Sequence, residues 1–133
     1  MDKYLFFATF SIEEDERYSI SFCDLPGCYT FGENIEDGIK NAKEDLELHL
    51  FGMEEDKDYI PEATSPIDIK VKENEFLVPI IVYMKPVREE MNSKAVKKTL
   101  TIPYWLNKVA EKEGINFSAL LQKAIKEKIG IND

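Results

Sequence analysis

The chain has 133 residues, of which 44% are hydrophobic and 15 are aromatic, and it carries a formal net charge of −9. This length suits one ordinary domain, or a domain of about 90 residues with a small appendage, and the apolar content is enough for a real core. No window reaches the roughly 18 apolar residues of a membrane span, and MDKYLFFATFSIEEDE has too short an apolar run, with no small-residue cleavage site, for a signal peptide. A cytoplasmic protein, with Cys23 and Cys28 kept reduced, is the expectation.

Residues 4 to 12 (YLFFATFSI) are apolar and aromatic enough for a buried strand, and EEDER follows as a charged turn. In RYSISFCDL, Tyr18, Ile20 and Phe22 alternate with Ser19, Ser21 and Cys23, the period of two of a half-buried strand. Pro26-Gly27 turns the chain and CYTF makes a short third strand. Asn34 is a good N-cap, with Asp37 placed to complement the free amides and the helix dipole. Ile35, Ile39, Ala42, Leu46 and Leu50 then follow at spacings of 4, 3, 4 and 4, which is one helical face. Gly52 is the expected terminator, and residues 53 to 66 read as a polar loop. Beyond it, Ile67, Ile69 and Val71 alternate with Asp68, Lys70 and Lys72 as a strand, and FLVPIIVYM forms another. Pro79 within that last run cannot donate to a ladder and argues for an edge or a bulge. The first 85 residues therefore read βββαββ, an α+β arrangement of an antiparallel sheet with one helix against it. Residues 86–95 have the polarity of a linker.

The net charge hides a division. From Lys94 onward there are 8 lysines against 4 acids, a net of +4, while residues 1–93 hold 9 basic and 22 acidic residues, a net of −13. Such asymmetry suggests two tasks with partners of opposite charge, with a merely solubilising acidic surface as the plain alternative.

In VKKTLTI, Lys97, Thr99 and Thr101 form one row of a strand, and Val96, Lys98, Leu100 and Ile102 the other. Pro103 ends the strand and pre-sets the first turn of a helix, in which Leu106, Val109 and Ala110 make an apolar face closed by Gly114. Asn116 caps a second helix whose apolar residues are Phe117, Leu120, Leu121, Ala124, Ile125 and Ile129. About 40 residues of strand, helix and helix cannot bury those faces alone. Two copies pairing their strands and interlocking their helices would bury them, and would display Lys97, Thr99 and Thr101 on a two-stranded ribbon of a size that fits the DNA major groove.

In its order of strand, proline, helix, glycine and capped helix, the segment 96–133 resembles a ribbon-helix-helix DNA-binding and dimerisation domain. The resemblance implies base contacts from Lys97, Thr99 and Thr101. It also implies phosphate contacts from Lys94 and from Asn116, Phe117 and Ser118 at the start of the second helix, where amides and dipole favour an anion. Lys98 departs from the pattern, since it occupies an inward row that is more often apolar; its stem can lie along the core while the ammonium reaches water. A helical hairpin capping the domain's own sheet is the alternative.

Residues 21 to 50 resemble the HicB antitoxin family through Asp24, Leu25, Pro26, Gly27, Cys28, Thr30 and Gly32 and the helix bearing Ala42, Glu44, Leu46 and Leu48. The resemblance implies a truncated RNase H-like domain over residues 1–85 without nuclease activity. It further implies a small basic mRNA-cleaving toxin of the HicA type as partner, occluded by this domain, and an operator repressed through the C-terminal ribbon. The expected assembly is a homodimer, with further association through the N-terminal sheets left open. Asp24, Glu36, Glu44 and Glu47 are the candidate toxin-binding residues. The competing reading is a stand-alone repressor whose N-terminal domain senses a small molecule in an enclosed apolar pocket.

No catalytic residue, cofactor or metal is expected. Glu44 and Asp45 point about 100° apart on a helix, and the first strand has no acid at its centre, where a two-metal nuclease would need one. His49 reads as a half-exposed residue near a helix end. Cys23 and Cys28 lack the second ligand pair of a zinc site.

Overall fold

The computed structural model describes residues 1–131, which divide into two compact units, one spanning Met1–Lys94 and one beginning at Ala95. Among the described residues no helix is long and apolar enough to cross a membrane.

The first unit is a four-stranded antiparallel sheet with helices on one face. Its strands are β1 (Lys3–Ile12), β2 (Tyr18–Phe22), β3 (Tyr29–Gly32) and β4 (Glu75–Tyr83), in the order β3-β2-β1-β4. The registers Phe10↔Ile20 and Phe6↔Ile80 bring inward residues opposite one another. Helix α1 (Ile35–Glu55) lies against them through Gly38, Ala42, Leu46 and Leu50. Its start follows from sequence: the Asn34 side chain accepts the Asp37 amide at 2.8 Å, and the Asp37 carboxylate accepts the Glu33 amide at 2.9 Å. Each side chain thus satisfies an amide that the helix cannot.

Gly32 and Gly38 explain how closely helix and sheet approach. A Cβ on Gly32 would lie 2.4 Å from the Gly38 Cα, and one on Gly38 would lie 2.8 Å from the Phe10 ring. Both positions need hydrogen in place of a side chain, which is the physical content of the TFG segment before α1.

Three expectations are corrected. Helix α1 runs through Gly52 to Glu55; Asp56 caps it, and the left-handed Lys57 (φ 57°) turns the chain away. Residues 67–71 form no strand. Pro66–Asp68 is a single 3₁₀ turn, and Ile67 is 90% exposed. Alternation of apolar and charged residues makes a strand only where a ladder partner is met, and residues 67–71 pair with neither edge strand, β3 or β4. The sheet is therefore βββαβ. The stretch 86–95, expected as a linker, is mostly helix α2 (Met84–Ser93). Met84 and Val87 are buried in the core and Met91 packs against it. Pro86 falls in the first turn, where a missing N–H costs no helical bond. Arg88 fastens this helix, donating to both Glu54 oxygens at 3.0 and 2.7 Å, to Asp2 at 2.6 Å and to the Met1 carbonyl at 2.7 Å. Two helices, not one, cover the sheet.

The second unit contains α3 (Tyr104–Lys112) and α4 (Phe117–Ile129). Residues 94–103 have no regular structure in the single chain. Pro103 caps α3, Asn116 caps α4 by accepting the Ala119 amide at 3.0 Å, and Gly114 and Gly130 adopt left-handed φ of 69° and 82° where the helices end.

Candidate partner surfaces

The first unit presents three surfaces of different chemistry. One is the outer side of α1, where Glu36 and Glu44 are exposed. Glu47, one turn on, is half-buried. Burial and the neighbouring Glu44 and Glu90 carboxylates push its own carboxyl above the usual range, against the pull of Lys43. It faces α2 as much as solvent.

The second surface is an open cleft of about 660 Å³ at the C-terminal end of α1, with Asp24, His49, Asp56, Asp58 and Tyr59 among its walls. Asp24 is less available than its sequence position suggests. Its two oxygens accept the Thr64 hydroxyl at 2.5 Å and the Thr64 amide at 3.0 Å, pinning the 58–66 loop beside the DLPG turn. That contact joins residues 40 apart and left no signal in the sequence. Gly27 holds the turn open at φ 87°, beside the His49 ring.

Nearby, the buried Cys28 thiol donates to Asp45 at 3.2 Å, and burial, reinforced by that carboxylate, holds the thiol far above the usual cysteine range. The thiolate is therefore strongly disfavoured, and Cys28 is a packed, hydrogen-bonded side chain. Cys23 is exposed, its thiol also raised by partial burial and by Asp24. These carboxylates are thus dispersed, with Asp24 on Thr64, Asp45 on Cys28 and Glu44 in solvent. Among the described residues no group of three His, Cys, Asp or Glu side chains could hold a metal.

The third surface is the sheet face opposite the helices. Alternation places Leu5, Phe7 and Thr9 of β1 there, beside Ile81, Pro79 and Leu77 of β4. Tyr29 and Phe31 of β3 lie on the same face opposite Ser21 and Ser19.

In the second unit no residue of α3 or α4 is buried; Leu106, Val109, Phe117, Leu120, Ile125 and Ile129 are all exposed. Lys97, Thr99 and Thr101 sit on the exposed irregular segment before α3. Asn116, Phe117 and Ser118 form the start of α4, with the Ser118 hydroxyl accepting from Gln122 at 3.2 Å. An open hollow there has Lys123 and Lys126 among its walls. Lys94 belongs to the other unit, where it is the C-cap of α2.

Comparison with known proteins adds the following. The family model described as a HicB-like antitoxin of bacterial toxin–antitoxin systems matches residues 6–125. A relative, an uncharacterised 14.9 kDa protein in the rep-hol intergenic region of Haemophilus phage HP1, is 29% identical over 89 residues. That match covers 67% of this chain and 66% of the relative's length. Two solved structures share the fold. One is a toxin–antitoxin complex from Streptococcus pneumoniae, with a TM-score of 0.62 and 24% identity, covering 95% of this chain and 99% of that one. The other is the antitoxin HicB of Burkholderia pseudomallei, with a TM-score of 0.53 and 20% identity, covering 96% and 97%.

Proposed function

Because this chain belongs to the HicB-like antitoxin family of bacterial toxin–antitoxin systems, we propose that its first unit binds and occludes a small basic mRNA-cleaving toxin, while its second unit dimerises and represses the shared operon. The observation that carries this reading is the division itself. A self-contained unit is strongly acidic on balance, with 22 acidic against 10 basic residues, and a unit with no buried residue in its helices is basic on balance, with 7 against 4.

Complementary potentials steer an acidic surface toward a basic RNA-binding protein and away from wrong partners. Glu36 and Glu44 on α1, with the carboxylates around the α1-end cleft, are the groups open to such a partner. Asp24 acts through the loop it pins. Occlusion of the toxin's RNA site needs no chemistry from this chain. In the second unit, pairing of residues 96–102 from two chains makes a ribbon that carries Lys97, Thr99 and Thr101 into the major groove. Two helix pairs interlock beneath it, and the start of α4 meets a phosphate.

The test is co-expression with the small basic protein encoded beside this gene, following growth and mRNA integrity. Arrest by the neighbour alone, reversed by the full chain and by residues 1–94, is the expected result. The fragment must end at Lys94, since stopping near Lys85 would strip Val87 from the core. Lys97→Ala should retain neutralisation, weaken operator binding and relax sequence specificity at the base pair it reads. A variant that lost neutralisation and kept DNA binding would reverse the assignment of the two units. A neighbour that is not toxic would favour a stand-alone repressor.

A further inference from the structure

We infer that the first unit is an electrostatic brake on DNA binding by the second, applied chiefly by Glu89 and Glu90 on the exposed side of α2. The inference rests on the DNA-binding role proposed for the second unit, and gives that role an opponent within the same chain.

The two units carry charges of opposite sign and unequal size. The first holds 22 acidic and 10 basic residues, a net of −12, and the second 7 basic and 4 acidic, a net of +3. A polyanion is attracted by one and repelled by the other. How much of the repulsion reaches a duplex depends on distance, because exposed charges are screened over about 8 Å at physiological ionic strength and about 30 Å at 0.01 M. Remote carboxylates are screened out, and those near the ribbon segment 96–102 decide the effect.

Covalent geometry fixes which carboxylates these are. Helix α2 ends at Ser93, Lys94 is its C-cap, and the ribbon segment begins at Val96. The two peptide units from Lys94 to Val96 span no more than about 8 Å, and the helix rises about 6 Å from Glu90 to Lys94. The Glu90 backbone therefore stays within about 14 Å of Val96 along the chain. Val87 and Met91 turn to the core and leave Glu89 and Glu90 exposed. Arg88 between them and the core does not neutralise them, because Glu54 and Asp2 engage its guanidinium. Lys94 offsets one of the two charges. The negative potential that remains registers across the α1–α2 seam at Glu47, whose carboxyl is raised by burial and then by Glu44 and Glu90, against the pull of Lys43. Two chains bring four such carboxylates to a ribbon whose own cations are Lys97 and Lys98 of each. The consequence is selectivity: non-specific binding rests on phosphate attraction and is lost first, while an operator adds base contacts that the repulsion leaves in place.

The test titrates the full chain against a random-sequence DNA duplex over a range of salt, so that no operator need be known. Glu89→Gln combined with Glu90→Gln should tighten binding about threefold at about 0.05 M salt, with the gain shrinking toward about 0.3 M. Glu89→Lys combined with Glu90→Lys should tighten it further. A misfolded variant would not bind more tightly. Glu14→Gln combined with Glu73→Gln removes the same charge from exposed turns at the Glu75 end of β4, and α2 follows the Tyr83 end. The strand between them is about 26 Å long, so this pair should leave binding unchanged. Equal affinities of the parent and the Glu89→Gln, Glu90→Gln variant at every salt would overturn the inference. An equal gain from Glu14→Gln with Glu73→Gln would overturn it too, by tracing the effect to net charge alone. A parent and a lysine variant that both fail to bind duplex at any salt would overturn the DNA-binding role, and the inference with it, which separates the two failures.

Discussion

The fourteen buried hydrophobic residues of the described chain all lie between Phe6 and Val87, while neither helix of the second unit buries any residue. Each unit has one helix capped by an asparagine side chain, α1 by Asn34 and α4 by Asn116, and each has helices with an apolar face. What separates them is that the first supplies its own second layer, sheet against helices, and the second supplies half of one. Local sequence signals are equally good in the two units, so capping and periodicity do not reveal which segment folds alone. That depends on whether the complementary surface lies in the same chain.

The comparison breaks most sharply at Leu120. Leu120→Glu places a charge on the apolar face of α4 and should abolish amide protection throughout α3 and α4, leaving protection in β1, β4 and α1 intact. Hydrogen exchange by mass spectrometry reads both in one sample. Protection retained in α4 would mean that the second unit folds without a partner chain.

Glycines sharpen the same contrast at smaller cost. Gly32→Ala drives a methyl into the Gly38 backbone and should cost about 3 kcal/mol, seen in denaturant unfolding of the first unit. Gly114→Ala and Gly130→Ala meet nothing within 4 Å, but their φ values of 69° and 82° are left-handed, so each should cost only about 1 kcal/mol. Packing fixes Gly32 and Gly38 of the first unit, and backbone conformation fixes Gly114 and Gly130 of the second.

Much of the first unit was legible because its signals are local. The alternation in β2, the Asn34 cap and the Ala42, Leu46 and Leu50 face of α1 each lie within a few residues, and the structure reproduces them. Ile35 and Ile39, expected on the same face, are exposed, and Gly38 is buried there instead. Helix α2 was hidden by its polarity. Its whole core contribution is Met84, Val87 and Met91, a spacing of 3 and 4 that lies beneath Lys85, Glu89 and Glu90 and is interrupted by a proline that does no harm in a first turn. The supposed strand at 67–71 was the opposite error, an alternation that pairs with neither free edge of the sheet. Of the candidate toxin-binding residues, Glu36 and Glu44 stand exposed, whereas Asp24 is engaged by Thr64 and Glu47 by its surroundings. Those engagements join elements distant in sequence, α1 with α2 and the DLPG turn with the 58–66 loop, and no local pattern encodes them.

Glu47 gives the smallest effect and the finest distinction. Its carboxyl is pushed above the ordinary 4.5, first by burial and then by Glu44 and Glu90, with Lys43 opposing. The folded chain therefore holds this proton more tightly than the unfolded chain does. As pH rises through the window above 4.5, the folded state carries the excess proton, so stability falls across that window and stays lowered beyond it. Glu47→Gln removes this dependence. The variant should be more stable than the parent at pH 7, by no more than about 0.5 kcal/mol, and the difference should vanish well below pH 4.5. Paired unfolding curves at the two pH values measure it. If the variant also neutralises toxin as well as the parent, Glu47 serves the α1–α2 seam and the partner surface is left to Glu36, Glu44 and the cleft. If neutralisation falls while stability rises, the strain at Glu47 is retained for the partner, since a carboxylate costly to the free protein is then repaid in the complex.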